Sequence, residues 1–160
     1  MDALTPDETL LGLLAAEARH GYQLIACFRD PAQLGKVWKL STSQLYAVLK
    51  RLNGQGLIVG ETHESADAPT RTEYTLTRTG IERLEAWLMD DEPSASVRRV
   101  RVEFLSRLYI ARLLNLPTLA IVQRQKASCR RQREALIIER DHAAPGVGRL
   151  ALELEIAQMD

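Results

Sequence analysis

Aromatic side chains are scarce in this sequence, with two Trp, four Tyr and two Phe among 160 residues. Sheet sandwiches and barrels draw on aromatic and β-branched residues, so nothing here indicates a large all-β architecture. Cysteine is scarcer still. Cys27 and Cys129 lie about a hundred residues apart with no Cys-x-x-Cys spacing, which excludes a disulfide framework and a zinc knuckle. No apolar run approaches the roughly 18 residues that span a bilayer. The N-terminus, Met1 through Glu8, is acidic where a secretory leader would be basic. A cytoplasmic protein with no membrane partner is therefore expected. Net charge is also lacking: 21 acids balance 21 bases, and 46% of residues are hydrophobic, which excludes a chain kept disordered by charge. Catalytic signatures are missing too. There is no Gly-x-Ser-x-Gly, phosphate loop or Gly-x-Gly-x-x-Gly, and His20, His63 and His142 have no Cys or acid at ligand spacing. No enzyme activity, metal or cofactor is expected.

What the chain does have is Ala, Leu, Arg and Glu in a helical arrangement. Thr5-Pro6-Asp7-Glu8 reads as a helix start, with Thr5 as cap and Glu8 completing a capping box; Leu10, Leu11, Leu13 and Leu14 supply its buried side. His20-Gly21 breaks that helix, and a second, carrying Leu24, Ile25 and Phe28, ends at Asp30-Pro31, because a residue before proline is pushed out of helical geometry. Val37-Trp38-Lys39-Leu40 reads as a short extended piece. Ser41, Thr42 and Ser43 offer capping oxygens for a third helix, in which Leu45, Val48, Leu49 and Leu52 recur at helical spacing. Leu57-Ile58-Val59 opens one strand, and Arg71–Thr77 forms a second with Thr72, Tyr74 and Leu76 on one side; a polar tip from Glu64 to Thr70 joins them. A fourth helix starts near Thr79, with Ile81, Leu84 and Leu88 inward and Trp87 beside them. Residues 91–96 read as a linker. Beyond it, helices are expected over about 97–116, 117–142 and 148–159; in the last, Leu150, Leu152, Leu154 and Ile156 also alternate like a strand, and propensity favours helix.

This order describes a mainly α protein with a small β-hairpin, a winged helix-turn-helix over 1–90, followed by a helical domain over 97–160. The charge pattern points the same way. Residues 1–30 hold five acids and two bases, whereas 31–60 hold no acid and four bases, Lys36, Lys39, Lys50 and Arg51. With the apolar stripe of the third helix turned inward, Ser43, Ala47 and Lys50 face outward, flanked by Gln44, Tyr46 and Arg51. A recognition helix presents its N-terminal residues to base edges. Gln44 suits hydrogen bonding to a base, often adenine. Lys50 and Arg51 suit phosphate contacts that set register; Lys39, Ser41, Thr42 and, in the hairpin, Arg71 are counted with them as DNA-binding candidates. An ordinary solvated amphipathic helix is the competing reading, although such a face usually mixes signs. Tyr46 suits either a phosphate contact or packing between helix and wing.

His20-Gly21-Tyr22, Ser43-Gln44-Leu45-Tyr46 with Leu49, Leu52, Gly56 and Leu57, and Tyr74-Thr75-Leu76-Thr77 with Gly80 together resemble the N-terminal domain of the PadR-type transcriptional regulators. The resemblance covers about residues 8–90. It implies a dimeric transcription factor, usually a repressor, that binds double-stranded DNA through the third helix, with a C-terminal helical domain that dimerises. Wings in that family are commonly basic at the tip, whereas this one carries Glu64 and Asp67 beside His63, so a smaller wing contribution is expected. The apolar face of Val97, Val100, Phe104, Leu105, Leu108 and Ala111 is expected to be covered by a second copy. Trp87 is open to two roles, packing or stacking on an aromatic small-molecule effector. Two alternatives stand beside the regulator: a winged-helix protein-interaction module that no longer binds DNA, and a ligand-binding dimer with its pocket near Trp87.

Overall fold

The computed structural model describes residues 4–159; the acidic Asp2 of the N-terminal reading lies outside them. Helix α1 (Asp7–Ala16) is followed by a two-residue strand β1 (Arg19–His20), α2 (Gly21–Arg29) and α3 (Thr42–Gly54). The hairpin β2 (Ile58–Ser65) and β3 (Ala68–Leu76) leads into α4 (Arg78–Leu88). After residues 91–96 come α5 (Val97–Arg99), a π-helical turn (Val100–Phe104), α6 (Leu105–Leu113), α7 (Leu119–His142) and α8 (Val147–Ala157). The mainly helical fold with a small antiparallel sheet agrees with the sequence reading.

Several local expectations need correction. Thr5 does not cap α1; Pro6 occupies that position without a side-chain bond. The stretch Val37–Leu40 is no strand, because Trp38 N donates to Leu34 O at 2.9 Å in a helical turn that buries both side chains. The third strand is Arg19–His20 instead, paired antiparallel with Tyr74 and Glu73, so the sheet order is β1-β3-β2. Ile81 is 44% exposed rather than inward. Gly80 takes the buried position with Leu84 and Leu88, one helical turn apart each time.

Gly80 is there because nothing larger fits. A β-carbon on it would lie 2.1 Å from the Leu57 carbonyl oxygen. That carbonyl and that of Gly56 both accept from Thr77 Oγ1, at 2.9 and 2.7 Å, and Thr77 Oγ1 also caps α4 by accepting from Gly80 N at 3.1 Å. The Thr-x-x-Gly spacing thus clamps the start of α4 onto the turn that opens the wing. A second fastening lies across α1, α3 and α4. Asp7, 4% exposed, accepts from Arg51 on α3 and from Arg83 on α4, while Arg83 also reaches Glu8 at 2.8 Å.

The 91–96 stretch is irregular, yet the helix beyond it shares the buried cluster of the N-terminal elements. Ile110 packs where a Gly12 β-carbon would be, and Ile110, Ala111 and Ile121 belong to the same core as Leu10 and Leu49. Trp38 Nε1 donates to Ser106 Oγ at 2.9 Å inside it, and Tyr109 donates to Gln33 at 2.9 Å on its margin. Helices α7 and α8 pack on one another and complete the chain.

The close approach at Gly80 yields a contrast. Gly80→Ala should destabilise the fold by about 3 kcal/mol, because backbone rather than a flexible side chain would have to move. Gly54→Ala, with open space around the new methyl, should be neutral or stabilise by roughly 0.5 kcal/mol. Urea denaturation of both variants measures the difference.

Candidate nucleic-acid interface

The orientation of α3 follows from its apolar stripe. Leu45, Val48, Leu49 and Leu52 are buried, which turns Ser43, Gln44, Ala47 and Lys50 to solvent. Ser41 caps the helix: its Oγ accepts from Gln44 N at 3.2 Å, and Gln44 Oε1 accepts from Ser41 N at 2.8 Å. Gln44 is therefore exposed, as expected, with one lone pair of its carbonyl oxygen engaged by Ser41 N. Bidentate reading of adenine needs both that oxygen and the amide NH2.

Thr42 Oγ1 accepts from Arg29 Nη2 at 2.6 Å. Arg29, at the end of α2, is a cation beside the first turn of α3 that the sequence reading left unplaced. Its signal was available, since the last turn of the preceding helix must lie next to the start of the recognition helix. Lys39 is exposed, with Nζ 3.3 Å from the Gly35 carbonyl oxygen, and Lys50 is exposed with no ion-pair partner among the described residues.

Arg51 departs from the expected pattern. Its guanidinium donates to the buried Asp7 carboxylate, so it ties α3 to α1 while its side chain stays 43% exposed. Asp7 lies 44 residues earlier in the chain, beyond the reach of any periodicity argument. Tyr46 lies over Gly21, where a β-carbon would meet its ring at 2.8 Å. On its other side it approaches Tyr74, whose phenol is pushed up by burial and then by Tyr46. Tyr46 thus packs between α2 and the wing while staying partly exposed.

The second strand of the wing starts at Ala68 rather than Arg71, so Arg71 pairs with His63 in the outer half of the hairpin, its guanidinium 5.4 Å from the Tyr22 ring centre. Tyr22 in turn stacks on His20, centroids 5.6 Å apart and planes 9° from parallel. This stack orders an exposed arginine without removing its charge. The wing tip is exposed throughout, and Glu64 and Asp67 are part of it. Ser43, Gln44 and Lys50 therefore share the exposed side of α3, Arg29 is bonded to its first turn, and Arg51 is held by Asp7.

The residues assigned to a second copy divide. Ala111 is fully buried in its own chain, and Phe104 and Leu108 pack against the same core; Leu105 is exposed, and Val97 and Val100 are half-buried. The apolar face was real, but much of it is covered from within. The largest exposed aliphatics of the C-terminal part lie on α7 and α8 instead: Leu119, Ile138, Val147, Leu150 and Leu154. Trp87 is also less open than the effector reading requires. Arg107 stacks 5.0 Å from its ring centre and donates to its backbone carbonyl at 2.9 Å. The adjoining cavity of about 360 Å³ is lined by Glu8, Arg83, Asp90, Arg99, Glu103 and Arg107. Arg83 bonds to Glu8, Arg99 to Glu103 and Arg107 to Asp90. Burial lowers the Arg107 pKa and raises that of Glu103, each opposed by its ion-pair partner.

Residues 10–86 match the model of the transcriptional regulator PadR-like family. The negative transcriptional regulator PadR of Bacillus subtilis is 31% identical over 106 residues, 66% of this chain but only 56% of that protein's length. The structure of Bacillus subtilis PadR in complex with operator DNA superposes with a TM-score of 0.54 at 23% identity, covering 99% of this chain and 92% of that one. A Streptococcus mutans protein gives a TM-score of 0.51 at 20% identity, over 98% of this chain and 92% of its own. At those identities the structural matches speak for the fold, while the family match rests on the segment that holds the Thr77–Gly80 clamp and the α3 stripe. The chain belongs to the PadR-like family of transcriptional regulators.

Proposed function

We propose that this member of the family is a DNA-binding repressor that acts in the cytoplasm as a homodimer on a pseudo-palindromic operator. The observation that carries the reading is the outward side of α3. Ser43, Gln44, Ala47 and Lys50 are exposed on a helix with no acidic residue, Arg29 is bonded to its first turn, and Lys39 and Arg71 are further exposed cations of the same domain. A duplex phosphate backbone is recognised by such an arrangement through charge, and its base edges through the small polar residues between. The B. subtilis relative is named a negative regulator, which supports repression. No helix among the described residues is long and apolar enough to cross a membrane.

In this reading residues 1–90 read DNA and 97–160 join two copies, with 91–96 between them. The contact between copies runs through α7 and α8, because Val147, Leu150 and Leu154 stand on one side of α8 at 83, 64 and 60% exposure. They recur at i, i+3 and i+7, a stripe that a two-fold axis can bury against itself. The paired heads then present two recognition helices about 34 Å apart, or a multiple of it. A small-molecule effector would act by binding two head separations unequally.

Three outcomes test this. In salt-titrated gel shifts, Lys50→Ala should lower the slope of log K against log salt by about 0.9, while Arg51→Ala should leave it unchanged and cost about 1 kcal/mol of fold stability. Gln44→Ala should relax discrimination at one base pair per half-site without changing that slope; retention of the parent's full preference would refute its role as a reader. Leu150→Glu with Leu154→Glu should give a folded monomer by light scattering, and a dimer that survives both changes would move the interface elsewhere.

A further inference from the structure

A second concavity, of about 440 Å³, opens where the segment before α3 meets α5 and the π-turn. Val37, Val97 and Val102 give it a half-buried apolar floor. Around that floor stand three exposed cations, Lys36, Arg98 and Arg101. No side-chain hydrogen bond or ion pair engages any of them among the described residues. The acids of the neighbouring elements are committed or placed elsewhere. Asp30 accepts from Ala32 N and Gln33 Nε2, and Glu103 of the π-turn pairs with Arg99. On α8, whose end reaches the rim through Gln158, Glu153 pairs with Arg149 and Glu155 lines an adjoining hollow.

The fold does not need this charge. Trp38 Nε1 donates to Ser106 Oγ at 2.9 Å, Ser106 Oγ donates to the Val102 carbonyl at 2.7 Å, and Tyr109 donates to Gln33 at 2.9 Å. These bonds and the valine floor pin the segment carrying Lys36 against the π-turn. Neutral side chains at 36, 98 and 101 would leave every one of them in place. Like charges one turn apart on a helix repel. A cluster kept against that repulsion, with no acid to answer it, is the footprint of a polyanion. We infer that Lys36, Arg98 and Arg101 form a docking surface for the phosphate backbone of duplex DNA, outside the recognition helix and partly on the chain beyond residues 91–96.

Charge number and position both select this partner. A ligand with one anionic group cannot answer three cations carried by separate stretches of chain, whereas a duplex presents a negative charge about every 1.7 Å of its axis. Lys36 precedes Ser41, the cap of α3, by five residues, with the exposed Lys39 between them. Five residues reach at most about 18 Å. One turn of duplex is about 34 Å long, so the patch and the start of the recognition helix fall within the span of a single turn. Contacts of this kind add affinity without reading bases. The docking surface rests on the DNA-binding reading and adds to it, since there residues 97–160 serve only to join two copies.

The test uses the full chain and a fluorescently labelled duplex of random sequence, roughly 30 bp or three helical turns, with anisotropy followed across a salt series. Lys36→Gln, Arg98→Gln and Arg101→Gln together should lower the slope of log K against log salt by about 2.7, or about 0.9 for each lost phosphate contact. Each change alone should lower it by about 0.9, which keeps the outcome readable should the triple variant fail to fold. A slope equal to the parent's overturns the docking surface; if Lys50→Ala lowers the slope in the same assay, the regulator reading stands. A parent that binds no duplex even at low salt overturns both. Loss of the parent's assembly state in light scattering, with the slope unchanged, assigns the three cations to a second copy. Loss of binding to poly-L-glutamate, with the slope unchanged, assigns them to an acidic protein. Either result overturns the surface.

Discussion

Everything the exposed side of α3 offers depends on the rotation of that helix about its own axis. Each residue turns a helix by about 100°, so burying Leu45, Val48, Leu49 and Leu52 leaves no freedom in which side chains face out. The burial is enforced from several directions. Ser41 fixes where the helix begins, Arg51 ties its last turn to Asp7, and Asn53 Oδ1 accepts from Gly60 N at 3.1 Å where the wing departs. Loss of any one fastening loosens an end; loss of the stripe would rotate the whole exposed face.

The wing is held to this frame by backbone contact. Thr77 and Gly80 bring α4 against the Leu57 carbonyl, and β1 closes the far side of the sheet through Arg19 and His20. That short strand also sets the position of Tyr22, on whose ring Arg71 rests. The His-Gly-Tyr segment thus does three separate things: His20 pairs in the sheet, Gly21 makes room for Tyr46, and Tyr22 steadies a cation. Arg71 pairs with His63, next to the acidic tip of Glu64 and Asp67, so the outer half of the hairpin carries charge of both signs.

The legible parts of the sequence were those with a period. Four apolar residues at helical spacing were enough to orient α3, and the alternation in β3 was enough to find the hairpin. A two-residue strand has no period, so β1 was read only as a helix break. The commitment of Arg51 was illegible for a different reason: a base on a helix flank looks the same whether it meets solvent or an acid 44 residues away. The face of Val97 to Ala111 showed that burial was needed but not by what, and the chain's own α1 supplies part of the cover, with Ile110 set against Gly12. Trp87 posed the same problem, since spacing cannot reveal that Arg107 will lie over its ring.

The cap at the start of α3 has a consequence for how Gln44 is presented. Gln44 closes the first turn through its carbonyl oxygen, which accepts from Ser41 N, while Ser41 Oγ accepts from Gln44 N. An amide oxygen has two lone pairs, so one is still open to a further donor while the other is held by the cap. The direction in which that oxygen can accept is thereby set by the helix start, and substituting Ser41 would loosen the aim of Gln44 even though Ser41 need never touch what Gln44 meets.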